Sequence, residues 1–420
     1  MLNRVRFHYG YVILVIGVAT VTGALGFARF GYTMILPAMK AGLGLSDAQA
    51  GDLAMANMIG YLVLALACGF LSAHFSPRKI ITSFMLLVSA SMVLTGLAPG
   101  FGTAFAGRLL AGMGGGGTNI PVMGLVVGWF AMSRRGLAAG VTVSGSSFGL
   151  LITGLCLPPI LLAGGIDGWR YSWFFLSGLT LVVAVLCGAL LRDAPSVMGL
   201  SPVGSADGYA QGTHSAAGSY SLLESWRLVY RSFSVWHLSL VYTLFGFSYI
   251  IYTTFFVRYL NWEAGFSLED AGRLWSLIGL VSVASGFLWG SVSDRFGRKY
   301  ALTGVFFLQC SCYLLFGLWK AVPGYLASSV LFALTAWSIP AIMAALSGDL
   351  LGPRLAPAAL GFITLFFGIG QALAPFVSGR IADAYGSYTF AFVIAGIASF
   401  AGGLLSMLLD GGKLVRAPVR

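Results

Sequence analysis

The residue best suited to chemistry in this chain is an arginine inside an apolar stretch. Arg29 stands in the run FARFGYTMILPAM, from Phe27 to Met39, and no Asp or Glu occupies the middle of an apolar segment. A charge at the centre of a bilayer costs about 2.5–3.5 kcal/mol on insertion scales, so it needs a partner. Because a guanidinium fork fits a carboxylate through two parallel hydrogen bonds, Arg29 predicts an anion clamp whose partner is the ligand. The alternative is an arginine bonded to carbonyls of a neighbouring broken helix.

The two halves of the chain repeat a pattern that relates Arg29 to a tyrosine. The run GFARFGYT, which contains Arg29 and Tyr32, recurs as GFSYIIYT, which contains Tyr249 and Tyr252. Repeated membrane bundles place the ligand site between the repeats. We therefore expect Arg29 and Tyr249 to face one substrate, with Tyr32 and Tyr252 one turn further out. Packing between helices is the alternative for all three tyrosines.

Further polar side chains in apolar segments could line the same site. They are Asn57, Tyr61, Asn119, Trp337 and Gln371. Asn119 follows the glycine-rich run from Gly112 to Gly117, which predicts close helix approach or a bend. There it could bond a substrate oxygen or cap the bend. A packing role explains each of the others equally well.

A second arginine, Arg108, lies near the start of the apolar segment that begins at Phe101. Asp52 stands near the end of another apolar segment and could be its partner. We expect a structural salt bridge between the two; a part for Arg108 in coupling is the alternative.

The elements that must hold these residues are membrane helices. The chain is 58% hydrophobic and 9% charged, whereas soluble domains carry about 25% charged residues. Since a span needs about 20 apolar residues, the sequence predicts an all-α membrane protein with twelve helices. The predicted spans are 11–37, 48–72, 79–98, 101–129, 136–162, 170–191, 235–258, 269–292, 300–319, 322–350, 357–379 and 387–409.

The polar stretches between the spans predict domains and orientation. Residues 1–191 and 234–420 form two six-helix bundles, and the Gly-, Ser- and Ala-rich stretch 192–233 is a cytoplasmic linker. The net charge of +11 comes from Lys and Arg in short loops. Their bias to one side predicts that both termini are cytoplasmic. We expect the protein in the plasma (cell inner) membrane. No segment outside the apolar stretches combines clustered Lys and Arg with aromatic residues, so the sequence does not indicate nucleic-acid binding.

Several function classes are excluded by missing patterns. None of the five cysteines has metal-ligand spacing with a histidine, and no phosphate-binding Gly-x-x-x-x-Gly-Lys-Ser/Thr loop occurs. No nucleophile–histidine arrangement or pair of membrane acids is evident. We therefore expect no metal, no cofactor and no enzymatic activity.

The chain resembles the major facilitator superfamily over nearly its whole length. The loop GSVSDRFGRK matches the superfamily signature between the eighth and ninth helices; its matching residues are Gly290, Asp294, Arg295, Gly297, Arg298 and Lys299. The resemblance implies a two-bundle fold and a conformational latch at this loop. Its copy in the first half, GFLSAHFSPRK, is degenerate, with Ala73 at the acidic position and His74 at the first basic one.

A finer resemblance concerns the run WFAMSRRGLAAGVTVSGSSFG, from Trp129 to Gly149. It is similar to the fourth-to-fifth helix junction of monocarboxylate and oxalate/formate transporters. The run from Phe27 to Met39 is similar to bacterial facilitators. The resemblance to monocarboxylate transporters implies an anion-binding arginine in the eighth helix, but residues 274–292 contain no basic residue here.

These observations predict a secondary transporter for a small organic anion, such as a monocarboxylate, that works as a monomer in lipid by alternating access. The alternatives are an efflux transporter for hydrophobic drugs or metabolites and a non-transporting receptor or scaffold. Uptake or efflux, and the coupling ion or exchange partner, stay open at this point.

Overall fold

The computed structural model of the chain describes residues 8–205 and 222–409, which are built from helices. Within these ranges the only strand-like contact is an isolated bridge between Phe130 and Val203. The predicted all-α fold is therefore confirmed for the described part of the chain. The middle of the predicted linker, residues 206–221, lies outside it, as do both termini and the prediction of their cytoplasmic location.

The first half contains six membrane-length helical segments. They are Gly10–Leu43, Asp47–Cys68 (part of the helix Asp47–His74), Pro77–Gly96, Phe101–Gly128, Met132–Ala163 and Gly165–Leu190. Most ends lie within a few residues of the predicted ones. The first segment differs, because the helix continues through Pro37 as far as Leu43. Arg29 lies in the middle part of this 34-residue helix.

The second half contains six further segments. They are Phe233–Trp262, the pair Leu268–Ser282 and Ser285–Phe296, Arg298–Leu318, Val322–Leu350, Ala358–Tyr385 and Thr389–Met407. The pair is bent by 41°, and when it counts as one span the described residues hold the predicted twelve. A shorter helix, Leu222–Arg231, precedes the seventh span.

The chain divides into two compact units, whose limits do not follow a single cut in the middle of the sequence. The first unit comprises Met1–Gly44 and Ala56–Gly212, and the second comprises Leu45–Met55 and Thr213–Arg420. The helix Asp47–His74 therefore begins in the second unit and continues into the first. The predicted domain limits at 191 and 234 stay a prediction.

Glycines set the close helix crossings of the first unit. A Cβ at Gly112 or Gly116 would overlap carbonyls of the second span, and one at Gly117 would meet Phe84 of the third. Gly26 of the first span and Gly149 of the fifth touch backbone to backbone. The glycine-rich fourth span, Phe101–Gly128, runs as one helix, so these glycines serve close approach without breaking the helix.

Candidate binding site

The first span contains a change of helix type around Arg29. Gly10–Val21 and Gly31–Leu43 are α-helical, whereas Thr22–Phe30 is a π-helix. The N–H of Gly31 bonds the carbonyl of Gly26, five residues back instead of four. Such wide turns occur frequently at functional sites. Arg29 thus sits on a turn whose register differs from the helix on either side.

Arg29 is buried, with 9% of its surface exposed. Its Nε and Nη2 atoms have no hydrogen-bond partner among the residues that the structure describes. These two nitrogens form one edge of the guanidinium, the edge that can grip both oxygens of a carboxylate. The guanidinium carbon lies 4.7 Å from the ring centre of Tyr61. A cation–π contact contributes about 0.5–2 kcal/mol, but it leaves the positive charge and both donors available.

Tyr61 and Asn119 complete a polar group beside Arg29. The amide Nδ2 of Asn119 donates to the Tyr61 hydroxyl over 3.0 Å. Because that oxygen accepts from Asn119, the hydroxyl keeps its own hydrogen for another acceptor. Both side chains are half-buried. Two predicted candidates, Arg29 and Asn119, therefore both contact Tyr61, which the sequence had suggested only as a weaker candidate.

Arg108 has a different environment from the one expected. It is 1% exposed, its Nη1 donates to the backbone carbonyl of Ala28, and its guanidinium carbon lies 4.5 Å from the Tyr32 ring centre and 5.4 Å from that of Trp173. Asn57 donates from Nδ2 to the Arg108 carbonyl over 3.2 Å. Asn57 and Tyr32 therefore contact Arg108, and their predicted contact with a substrate stays a prediction.

The predicted salt bridge between Asp52 and Arg108 is wrong. Asp52 pairs instead with Arg380, whose Nη1 lies 2.8 Å from Oδ1 and whose Nη2 lies 3.3 Å from Oδ2. A helix carbonyl accepts from Nη1 of Arg108, which is the environment considered above as an alternative for Arg29, while the Nε of Arg108 has no partner among the described residues. The sequence could not have predicted the contact between Arg108 and Ala28, because every residue type carries a backbone carbonyl.

In the second unit, two predicted candidates bond each other. Gln371 donates from Nε2 to the Tyr249 hydroxyl over 2.7 Å, and both residues are buried. The Tyr249 ring stacks with Phe245 at 4.9 Å and Phe367 at 5.9 Å. Arg29 and Tyr249 belong to different units, so their shared substrate site stays a prediction.

The two other candidates of this unit lie in packed surroundings. The Tyr252 hydroxyl is 2.9 Å from Ser328 Oγ, and its ring lies 4.4 Å from Phe332. Trp337 lies inside the span Val322–Leu350, between the helix Val322–Thr335 and the helix that begins at Ser338, and its backbone N–H donates to Ser285 Oγ. Tyr252 thus has the packing environment named above as the alternative to binding.

The signature loop forms a charged cluster within the second unit. Arg298 contacts Asp294 at 2.5 Å and Asp349 of the tenth span at 3.2 Å. Gly297 has φ +97°, which favours glycine at the turn. Asp349 is the partner that the motif alone did not supply. Arg295 lies over the Phe296 ring, and Lys299 is the second residue of the helix Arg298–Leu318. Nothing lies within 4 Å of a Cβ placed on Gly290.

The degenerate loop of the first half has its own acid. Asp193 accepts from the backbone N–H of Arg78 and from the Ser76 hydroxyl, both at 2.8 Å. The side chains of Ala73 and His74 lie outside the described residues. An acid after the sixth span therefore binds the start of the third span at this loop.

Within residues 8–205 and 222–409, no group of three His, Cys, Asp or Glu side chains could hold a metal ion. The described part of the chain thus offers a polar, cationic site made of Arg29, Tyr61 and Asn119. Its donors are N–H and O–H groups, which suit the oxygens of an anion.

The chain is similar to several known proteins, among them two curated transporters and one solved structure. The probable sulfoacetate transporter SauU of Cupriavidus necator is 26% identical over 93% of this chain and 91% of its own. Monocarboxylate transporter 12 of Rattus norvegicus is 24% identical over 79% of this chain and 70% of its own. A bacterial homologue of the human lysosomal transporter Spinster matches with a TM-score of 0.74 at 17% identity, over 95% of both chains; it supports the fold alone.

A family described as uncharacterised MFS-type transporter YbfB matches residues 21–407. This match covers the part of the first span that holds Arg29, the signature loop and the last span, and it agrees with the helical architecture. The chain therefore belongs to this family: it is a multi-pass membrane transporter of the major facilitator superfamily and not an enzyme.

Proposed function

We propose that this protein is a secondary transporter that moves a small organic anion, such as a monocarboxylate, by alternating access, with Arg29 as the anion clamp. The observation that carries the proposal is the buried edge of Arg29, whose Nε and Nη2 have no partner in the described ranges. A buried charge-bearing donor without a partner costs free energy. An anionic substrate offsets that cost when it binds.

The shape of the site favours a planar carboxylate or a comparable acid. The Tyr61 ring covers one face of the Arg29 guanidinium, so a substrate approaches in the plane of the fork, where bidentate bonds form. The Tyr61 hydroxyl offers one further donor, with Asn119 holding its oxygen. Relatives named as sulfoacetate and monocarboxylate transporters are consistent with an organic acid.

When the substrate carboxylate neutralises Arg29, substrate binding can control the movement of the two bundles. An unpaired guanidinium favours a hydrated cavity, whereas the neutral Arg29–carboxylate pair tolerates a closed, dry one. The two bundles, 1–191 and 234–420, would then rock about the site, with the loop at Asp294 and Arg298 as latch. This scheme suits anion exchange, or uptake in which the substrate carries the proton. We place the carrier in the plasma membrane as a monomer with cytoplasmic termini.

The test is uptake of radiolabelled acetate, lactate, pyruvate and sulfoacetate into proteoliposomes that contain the purified protein. We expect Arg29→Ala to lower uptake of the transported acid by about tenfold or more, since a charge-assisted bidentate bond is lost. The control is Arg273→Ala, which removes an arginine whose side chain is 73% exposed. Wild-type uptake by Arg29→Ala would refute the clamp.

A further inference from the structure

The side chain of Arg108 donates a hydrogen bond to the backbone of the residue before Arg29. The Nη1 of Arg108 donates to the carbonyl of Ala28, the residue directly before Arg29, within the π-helix Thr22–Phe30. We propose that Arg108 is a positioning residue: its bond to Ala28 holds the π-helical turn in the register that directs Arg29 at the substrate. The proposal rests on the proposed role of Arg29 as the anion clamp.

Arg108 is itself fixed from several sides. Its surface is 1% exposed, and its guanidinium lies against the rings of Tyr32 and Trp173. Its own carbonyl accepts from Asn57 of the second span, and a Cβ at Gly112, one turn along, would overlap the Asn57 backbone. The fourth helix is therefore locked to the second at the level of Arg108. A donor held in this way can impose a position on the helix that it bonds.

The π-helical turn needs such a support. Segments with i→i+5 bonds are rare, and an α-helical turn is the ordinary alternative. In an α-helix successive residues are about 100° apart around the axis, at 3.6 residues per turn. A one-residue change of register would therefore swing Arg29 off the Tyr61 ring. A charge-assisted bond to one carbonyl of the segment favours the register in which that carbonyl faces Arg108.

A direct role for Arg108 on the substrate fits the contacts less well. Its Nη1 donates to Ala28, two aromatic rings lie against the group, and of its nitrogens Nε is buried without a partner among the described residues. Arg29 is less buried, and its free edge carries two donors. The two arginines therefore have different tasks: Arg29 binds, and Arg108 sets where Arg29 stands.

A double-mutant cycle separates these roles. Uptake kinetics are measured with the acid of the four-member panel that the wild type takes up fastest, for Arg108→Met, Arg29→Gln and the double variant. We expect Arg108→Met to raise KM about tenfold with a smaller change in Vmax, and to change KM less than about twofold in the Arg29→Gln background. An equal fold-change in KM from Arg108→Met in the wild-type and in the Arg29→Gln background would overturn the proposal, because Arg108 would then act independently of Arg29.

Arg108→Lys covers the case in which Arg108→Met does not fold. It keeps a charge-assisted donor for the Ala28 carbonyl, although it loses the planar group between the rings, so we expect KM to lie within about threefold of the wild type. A KM as high as that of Arg29→Gln, in an Arg108→Lys protein with wild-type thermal stability, would refute positioning through this bond. If Arg29→Gln alone left uptake unchanged, the proposed role of Arg29 as anion clamp would be refuted. An equal fold-change in KM in both backgrounds would instead refute only the positioning role of Arg108.

Discussion

Gln371 donates a hydrogen bond to the hydroxyl of Tyr249 over 2.7 Å, which joins the eleventh span to the seventh inside the second unit. Both side chains are buried. Removing one partner strands a buried polar group, which costs about 1–3 kcal/mol, whereas replacing both by apolar groups is nearly neutral. We therefore expect Tyr249→Phe and Gln371→Leu each to lower thermal stability in detergent, and the double variant to recover much of the loss.

Transport by the same three variants tests the predicted substrate role of this pair. If Tyr249 also bonds substrate, the double variant stays slow in proteoliposome uptake although its stability recovers. Uptake that recovers together with stability would assign the pair to packing alone.

The Tyr61 ring and hydroxyl can be tested separately. Tyr61→Phe keeps the ring against Arg29 and removes the hydroxyl that Asn119 bonds. We expect KM for the transported acid to rise about threefold to tenfold, the effect of one lost hydrogen bond to an anion, with Vmax less affected. Tyr61→Leu also removes the cation–π contact, so its KM is expected to be higher still. A Tyr61→Phe carrier with wild-type KM would show that the hydroxyl does not reach the substrate.

The sequence predicted much of the helical framework because hydrophobic length and repeat are properties of residue type. The first span is instructive, since Pro37 suggested an end and the helix continues to Leu43. A proline removes one N–H but does not prevent a helix whose neighbours pack well. The π-helical turn at Thr22–Phe30 has no residue signature that would have predicted it.

The partners of the charged residues were harder to predict. Asp52 pairs with Arg380, which is far away in sequence, and Arg108 uses the carbonyl of Ala28. Both choices depend on which helices the fold brings together. By contrast, the contact of Arg298 with Asp294 is local, four residues apart, and the motif already contained it.

The contact between Gly26 and Gly149 predicts a sharp difference between two glycines of the fifth span. A Cβ at Gly149 would overlap the backbone of Gly26, whereas nothing lies within 4 Å of one at Gly140. We expect Gly149→Ala to lower the free energy of unfolding by about 1–3 kcal/mol or more, because backbone cannot yield as a side chain can. Gly140→Ala is the control and should be neutral or slightly stabilising. Thermal unfolding in detergent measures both, and equal melting temperatures would contradict the close crossing.

The start of the helix Asp47–His74 offers the last prediction. Ser46 and Gln49 form a capping box, with Ser46 Oγ accepting from the Gln49 N–H and Gln49 Oε1 accepting from the Ser46 N–H, both at 3.1 Å. The carboxylate of Asp383 takes the next two donors, the N–H groups of Asp47 at 2.8 Å and Ala48 at 2.9 Å. Asp383 thus caps the helix from a distant part of the second unit, and its negative charge faces the positive end of the helix dipole.

Asp383→Ala is therefore expected to cost about 0.5–2 kcal/mol, as the loss of an N-cap does, and Asp383→Asn about half of that. The matched control is Asp167→Ala, which removes an acid that is 52% exposed and pairs with Arg170 three residues along. Surface pairs contribute about 0–1 kcal/mol, so the control should change little. Denaturant or thermal unfolding in detergent distinguishes them. Because the cap depends on a carboxylate, raising the salt concentration should reduce the difference between wild type and Asp383→Asn but leave that of Asp383→Ala partly in place.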